Sequence, residues 1–297
     1  MHVCISGGDI TGLIAAYMCR KRGHSVVLVE RSQLGASAFL PALKFLERTD
    51  EVLTLLDGLD VVYGEYKLVT GLLEKGRVEA CPRKVSDAVH HAYWRKTRLT
   101  AMPPGAIGLA DFEVTWKRQA VSFDWHAFVK RLTNGLTVVR ELGTLPHSAD
   151  LIFETLPLWE SRLVHEGARE AMAVALNLLP VRASKDRYLR WDVIYTPHTP
   201  GGAIHRLYHG EESGYVCEFS GVAAEDSVIS DLNYLFPDGW HIGGPMATTH
   251  GKLVALTERP IWLPRVRPLG RVAQWDEAAT VTRVIRDVAE GLLHADA

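Results

Sequence analysis

His2-Val-Cys-Ile-Ser-Gly-Gly-Asp-Ile-Thr-Gly-Leu-Ile-Ala-Ala16, followed one helix length later by Val26-Val-Leu-Val-Glu30, is the stretch that decides the fold. Its order is apolar strand, glycine turn, helix, apolar strand and terminal acid, which is the order of a dinucleotide-binding βαβ unit. Val3 to Ile5 form a short buried strand. Gly7 permits a tight turn, and Gly12 lets the following helix pack close to the sheet. A helix over Thr11 to Arg22 aims its free N–H groups and positive dipole end at a pyrophosphate. Glu30 ends the second strand, where a carboxylate takes a ribose hydroxyl. Asp9 stands where the fingerprint has its second glycine, and adds bulk and negative charge beside the expected phosphates.

Away from this unit the composition is ordinary for a globular chain. Of 297 residues, 47% are hydrophobic and 23% charged, enough to build a sizeable core in one large or two interleaved domains. A formal net charge of −2 gives no bulk field toward nucleic acid or membrane, so a nucleic-acid partner has no support from charge. Cys4, Cys19, Cys81 and Cys217 are scattered without a CxxC pair, and the first two fall on the predicted strand and helix as buried thiols. The reading is a reducing, cytoplasmic setting. The N-terminal apolar run is broken by Gly-Gly-Asp and is needed for the fold, so it is not read as a signal peptide. No apolar segment approaches membrane-spanning length.

After Glu30 the regular alternation stops. The pattern predicts a helix over Pro41 to Asp57, and a hairpin over Val61 to Val78 turning at Glu74-Lys75-Gly76. Asp124 caps a helix over Trp125 to Leu132, and Leu136 to Arg140 is a short strand. Asp150-Leu-Ile-Phe-Glu-Thr-Leu-Pro157 reads as a buried strand returning to the nucleotide-binding sheet. Ala175 to Phe219 is β-rich, and Ala223 to Leu235 is helical. Lys252 to Leu256 and Val266 to Arg271 are strands, and Glu277 to Leu293 is an amphipathic final helix. The fold class is therefore α/β, a Rossmann-type FAD/NAD(P)-binding domain with an interleaved β-rich substrate domain. The first comprises residues 1–36, 135–160 and 266–297; the second comprises 37–134 and 161–265.

This layout resembles the glutathione-reductase-type FAD fold, and more narrowly the branch of amine oxidases, protoporphyrinogen oxidases and UDP-galactopyranose mutases. Pro268-Leu-Gly-Arg-Val-Ala-Gln-Trp275 before the last helix is similar to that branch's Gly-Arg-x-x-x-aromatic segment. Trp191 to Pro197 with Ile204 to Leu207 resembles its substrate-domain strands. The resemblance implies FAD as cofactor, held by Gly7, Gly8, Asp9, Gly12, Glu30, Arg31, Gly270, Arg271 and Trp275. It implies an FAD-dependent oxidoreductase acting on a small polar, amine-bearing or nucleotide-linked substrate. A redox-neutral mutase on a nucleotide sugar and a non-catalytic descendant with a degraded cofactor site are the alternatives. Departures are Asp9, Gly35-Ala36 in place of a double glycine, and a short chain.

Tyr195, His205 and Arg206 are the candidate catalytic groups, His205 because an imidazole can move a proton near neutral pH. Strand alternation puts His205 with Leu207 on one face and Arg206 with Tyr208 on the other, so only one set can face a pocket. Arg95, Lys96 and Arg98, interleaved with Tyr93 and Trp94, are candidates for gripping a phosphate and stacking on a base, and His209 joins the polar substrate cluster of Tyr195, His205 and Arg206. His90, His91 and His126 lack the spacing of a metal site, and no metal is expected.

Overall fold

The computed structural model describes residues 1–41, 45–81, 85–98, 117–140, 148–157, 161, 163–166, 173–210, 214–253, 261–274 and 280–295. Short strands from both ends and the middle of the chain assemble one parallel sheet. Its order is Val266–Pro268, Leu151–Glu154, His2–Ser6, Ser25–Val29 and Thr137–Val139. Cys4 pairs with both Val27 and Ile152, so the first strand lies at the centre, buried on both faces as parallel strands usually are. The helix Ile10–Lys21 returns the chain between the first two strands. The C-terminal helix Val281–Ala295 packs on it, turning Val284, Val288 and Leu292 inward.

Helices Asp50–Gly58 and Trp125–Thr133 lie in the stretch read from the sequence as substrate unit. In the structure Val52, Leu55 and Leu56, with Phe128, Val129 and Leu132, share one core with Leu13, Ile14, Leu28 and Phe153 of the parallel sheet and its first helix. Asp124 caps the second of these helices, its Oδ1 accepting from the N–H groups of His126 (2.8 Å) and Ala127 (3.1 Å). The first begins later than the apolar spacing suggests. Residues 46 and 47 are strand, and Thr49 is the cap, its Oγ1 accepting from the Val52 N–H at 3.3 Å. Leu43 lies outside the described residues.

The second layer is a mixed sheet. Described in spatial order, its main path runs Trp240–Ile242, Ala173–Ala183, Gly214–Ser220, Ile204–His209, Val193–Tyr195, Tyr63–Glu74, Lys117–Phe123 and Leu46–Glu47. Ala247–Leu253 also pairs with Ala173–Ala183, and Arg77–Ala80 closes the hairpin with Tyr63–Glu74. Lys75 (φ 49°) and Gly76 (φ 76°) are both left-handed, the conformation that a two-residue hairpin turn requires. One face of this sheet carries the helix Glu225–Leu235, the other the helix Asp87–Arg98. No helix among the described residues is long and apolar enough to cross a membrane.

The strand expected over Val266 to Arg271 ends at Pro268. Gly270, at φ 78°, turns the chain into a short helix, Gly270–Gln274.

Candidate functional site

The glycine turn builds a narrow cradle at the C-terminal end of the parallel sheet. Gly7 has φ 98°, and a Cβ there would lie 2.4 Å from Thr155 Oγ1. A Cβ on Gly12 would lie 1.9 Å from the Gly7 carbonyl oxygen, so only glycine allows the helix this close to the turn. Thr155 locks the turn from the neighbouring strand end, its hydroxyl donating to the carbonyls of Ser6 (2.9 Å) and Gly7 (3.1 Å). No side chain caps the helix Ile10–Lys21, so its positive end is left for a ligand.

Asp9 occupies the cap position without capping. Its Oδ1 accepts from the Ser37 N–H (3.1 Å) and hydroxyl (2.8 Å), which ties the carboxylate to the segment after the second strand. Glu30 stands beside the turn. Its Oε2 accepts from the Gly8 N–H at 2.6 Å, and its Oε1 from the Ser32 N–H and hydroxyl, each at 2.7 Å. Partial burial alone would raise this carboxyl, but the Ser32 and Gly8 donors outweigh it and hold the acid below its ordinary value. The acid is thus ionised, oriented and half-buried, as acceptance from a ribose hydroxyl requires. Arg31 is exposed. Gly270 comes from the far end of the chain to the same helix start, where a Cβ would meet the Thr11 side chain at 3.0 Å. Only the backbone of Arg271 is described, and Trp275 lies outside the described residues.

These features fit an FAD pyrophosphate and ribose. The turn has no room for side chains, the helix end is uncapped, and a fixed carboxylate flanks it. Asp9 carries a charge that opposes the phosphates, and its tie to Ser37 limits that opposition.

The second candidate cluster differs from its sequence reading. Tyr195 pairs with Arg206 and Arg206 with Glu218, which sets three polar side chains in one row across the sheet. The register between Ile204 and Arg206 shifts by a bulge, so His205 joins the same row instead of facing the opposite side. Its Nε2 lies 2.8 Å from Glu218 Oε1. Arg206 donates to both Glu218 oxygens at 2.7 and 2.8 Å, and the Tyr208 hydroxyl donates to Oε2 at 2.8 Å. The alternation that separated His205 from Arg206 and Tyr208 is therefore overturned.

Burial by itself raises the Glu218 carboxyl, but Arg206 and His205 override it and hold it well below the usual carboxylate range. Burial raises Tyr195 and Tyr208, so both phenols stay protonated. The His205 side chain is fully buried, whereas that of Arg206 keeps 20% of its surface exposed. Tyr93 covers His205 and Tyr195 edge-on, at centroid distances of 5.7 and 5.6 Å. Glu218 was not singled out from the sequence; a lone acid inside the apolar strand Gly-Tyr-Val-Cys-Glu-Phe-Ser is the signal that could have found it.

The candidate phosphate-gripping set does not come together. Tyr93 and Trp94 are core residues of the helix Asp87–Arg98, Arg95 is exposed, and the Arg98 side chain lies outside the described set. His209 belongs to another cluster, with Nε2 3.0 Å from Asp186 Oδ2 and Tyr215 donating to the same carboxylate. Lys96 turns inward, donating to the Thr196 carbonyl (2.7 Å) and Thr199 Oγ1 (2.6 Å).

Burial pushes the Lys96 ammonium down to about 8, against the opposing pull of Asp231. Because the folded value lies below the unfolded one, Lys96 adds stability as pH rises from about 8 to about 10.5. Cys4, Cys19 and Cys81 act in the opposite sense, since burial raises their thiols to about 12, 12 and 11. The expected result is a difference between wild type and Lys96→Met that moves in favour of wild type across that window. Denaturant melts from pH 7 to 10.5 check it, and a pH-independent difference would contradict it.

No protein-family model matches the sequence. The FAD-dependent monooxygenase atnJ of an Arthrinium species is 30% identical over 168 residues, covering 52% of this chain and 37% of that protein. The chain thus spans little more than a third of that curated relative's length. Among solved structures, an oxidoreductase from Methanosarcina mazei matches 99% of this chain and 100% of its own, with a TM-score of 0.64 at 14% identity. The p-nitrophenol 4-monooxygenase PnpA of Pseudomonas putida matches 99% of this chain and 78% of its own, with a TM-score of 0.54 at 13% identity. Glycine oxidase of Bacillus cereus matches 99% and 94%, with a TM-score of 0.50 at 13% identity. The chain has the Rossmann-type FAD-binding fold seen in oxidoreductases, joined to a second, β-rich layer.

Proposed function

We propose that the protein is an FAD-dependent oxidoreductase acting on a small polar substrate. The observation that carries this reading is the cradle itself: Gly7 and Gly12 closed to side chains, an uncapped helix start, and Glu30 fixed beside them. The monooxygenase relative from Arthrinium and the oxidoreductases among structures of this fold support it. When bound, FAD supplies hydride acceptance and, once reduced, reaction with dioxygen. The chain's own residues bind and orient. Gly7, Gly8, Gly12 and Gly270 give the cofactor backbone access, and Glu30 takes the ribose. In the second layer Arg206, held by Glu218, offers its exposed edge to an anionic or polar substrate group. Tyr195 stays protonated beside it as a donor. His205 is a positioning residue, because its contact is with Glu218 and its side chain is fully buried.

The monooxygenase relative favours oxygenation over the amine oxidation implied by the narrower resemblance, and the p-nitrophenol monooxygenase of the same fold suggests phenols as the first substrates to try. The test is reconstitution with FAD, then anaerobic mixing with phenols plus NADPH or NADH in one series and amines alone in another. Flavin bleaching by reduced nicotinamide, accelerated by a phenol, supports the monooxygenase type. Bleaching by amines alone supports the amine-oxidase type, and no bleaching in either series contradicts the oxidoreductase reading.

Asp9 favours one competing reading, a binding protein whose cofactor site has decayed. Under our reading, Asp9→Gly removes one exposed negative charge near the pyrophosphate and tightens FAD by about three- to tenfold. FAD titration followed by flavin fluorescence measures this. Weaker binding in the variant would show instead that the Asp9–Ser37 tie shapes the site.

A further inference from the structure

We infer a second anion site on the β-rich layer, suited to a small phosphorylated ligand carrying at least two charges. Arg77, Arg187 and Arg190 line one pocket of about 400 Å³ with Gly76, Val78, Tyr188 and Trp191. None of these residues belongs to the glycine cradle or to the Glu218 row. The arginines reach the pocket from two separate segments. The left-handed pair Lys75 and Gly76 reverses the hairpin and delivers Arg77, while the loop before the strand Val193–Tyr195 delivers Arg187 and Arg190.

Among the described residues their charge is only partly neutralised. Among the described residues the Arg77 guanidinium makes no hydrogen bond or ion pair. That of Arg190 only stacks on Trp191, 4.7 Å from the ring centroid. Arg187 reaches Asp238 at 4.0 Å, but that carboxylate is already engaged by Lys185 at 3.1 Å. The pocket therefore concentrates positive charge on a chain whose formal net charge is −2. A pocket lined by Tyr17, Arg20, Lys21 and Arg131 makes the contrast. There Arg20 donates to the Asn134 carbonyl at 2.7 Å and Arg131 pairs with Asp60 at 3.0 Å, so the cations serve the fold.

Orientation is set in advance as well. The Trp191 ring is buried and backed by Gly71, where a Cβ would come within 3.0 Å of the indole, so the surface under Arg190 is rigid. Tyr188 is anchored by its hydroxyl to the Leu235 carbonyl at 3.0 Å. A guanidinium fixed by stacking loses little freedom when it binds an anion. One carboxylate satisfies one such fork. Three forks lining one pocket from two segments match the several oxygens and double charge of a phosphate monoester or diphosphate.

The test is calorimetric titration of the FAD-saturated protein with inorganic pyrophosphate at low salt, beside Arg77→Gln and Arg190→Gln. Both arginines are exposed, and thermal melts confirm that the variants fold. The expected result is binding in the millimolar range or tighter, weakened about tenfold by each substitution. Unaltered binding in the variants would place the anion elsewhere and overturn the assignment. Absence of heat at saturating pyrophosphate would overturn it equally. If poly-glutamate binds with the same arginine dependence and pyrophosphate does not, the surface takes acidic polypeptide and the small-ligand assignment fails.

Discussion

Gly12→Ala is expected to abolish retention of flavin through purification and to lower stability by about 1–3 kcal/mol. The added Cβ would lie 1.9 Å from the Gly7 carbonyl oxygen and 3.0 Å from its carbon, both backbone atoms that no rotamer change can move. The gap must open to at least 3.0 Å, which pushes the helix start away from the turn. That motion separates the uncapped N–H groups from the place where, under our proposal, Gly7 and Glu30 would hold the cofactor. It also loosens the packing of Leu13 and Ile14 under the sheet. Gly23→Ala is the control. Nothing lies within 4 Å of its Cβ position, and only its left-handed φ of 82° is penalised, at about 1 kcal/mol. Chemical denaturation and the flavin absorbance of the purified variants compare the two. Flavin retained at wild-type level in Gly12→Ala would show that close helix approach is not what holds the cofactor.

The second large effect is expected at Glu218. Glu218→Gln leaves Arg206 charged in a buried row without its counter-ion, and is expected to cost about 3–5 kcal/mol. His205 and the Tyr208 hydroxyl lose their charged acceptor at the same time. Removing both charges with Glu218→Leu and Arg206→Met is expected to cost much less, because neither charge then remains to be desolvated alone. The pH dependence has a definite sign. The Glu218 carboxyl is held well below its ordinary value of 4.5, so its contribution is complete above that pH and is lost as pH falls further. The gap between wild type and Glu218→Gln should therefore narrow below about pH 4.5. Urea melts of the three proteins at pH 7 and in acid measure both statements. Equal stability of wild type and Glu218→Gln at pH 7 would contradict the description of the row.

The glycine unit was legible because backbone geometry wrote it directly into residue types. Gly7 and Gly12 leave no space for alternatives, and Val26 to Val29 alternate with nothing polar before Glu30. The row around Glu218 was only half legible. Period-two alternation separates His205 from Arg206, and a bulge is a matter of pairing register that a single strand does not record. The inward turn of Lys96 could have been read. Val89, Tyr93, Lys96 and Thr97 recur at helical spacing, and all four are buried, while Arg95 falls between them on the exposed side. The string of aromatics and cations drew attention to its chemistry and away from that period. The start of the helix at Asp50 was carried by Thr49 followed by two acids, a cap signal outweighed by the apolar residues upstream. The anion pocket was invisible because Arg77 lies more than a hundred positions before Arg187 and Arg190 and meets them only through the sheet.

The most direct test of the central claim is the absorption spectrum of the purified protein, read again on the supernatant after heat denaturation. A flavin band that is released intact and identified as FAD by chromatography is expected. A protein that shows no flavin band, even after incubation with excess FAD and removal of the unbound cofactor, would contradict it.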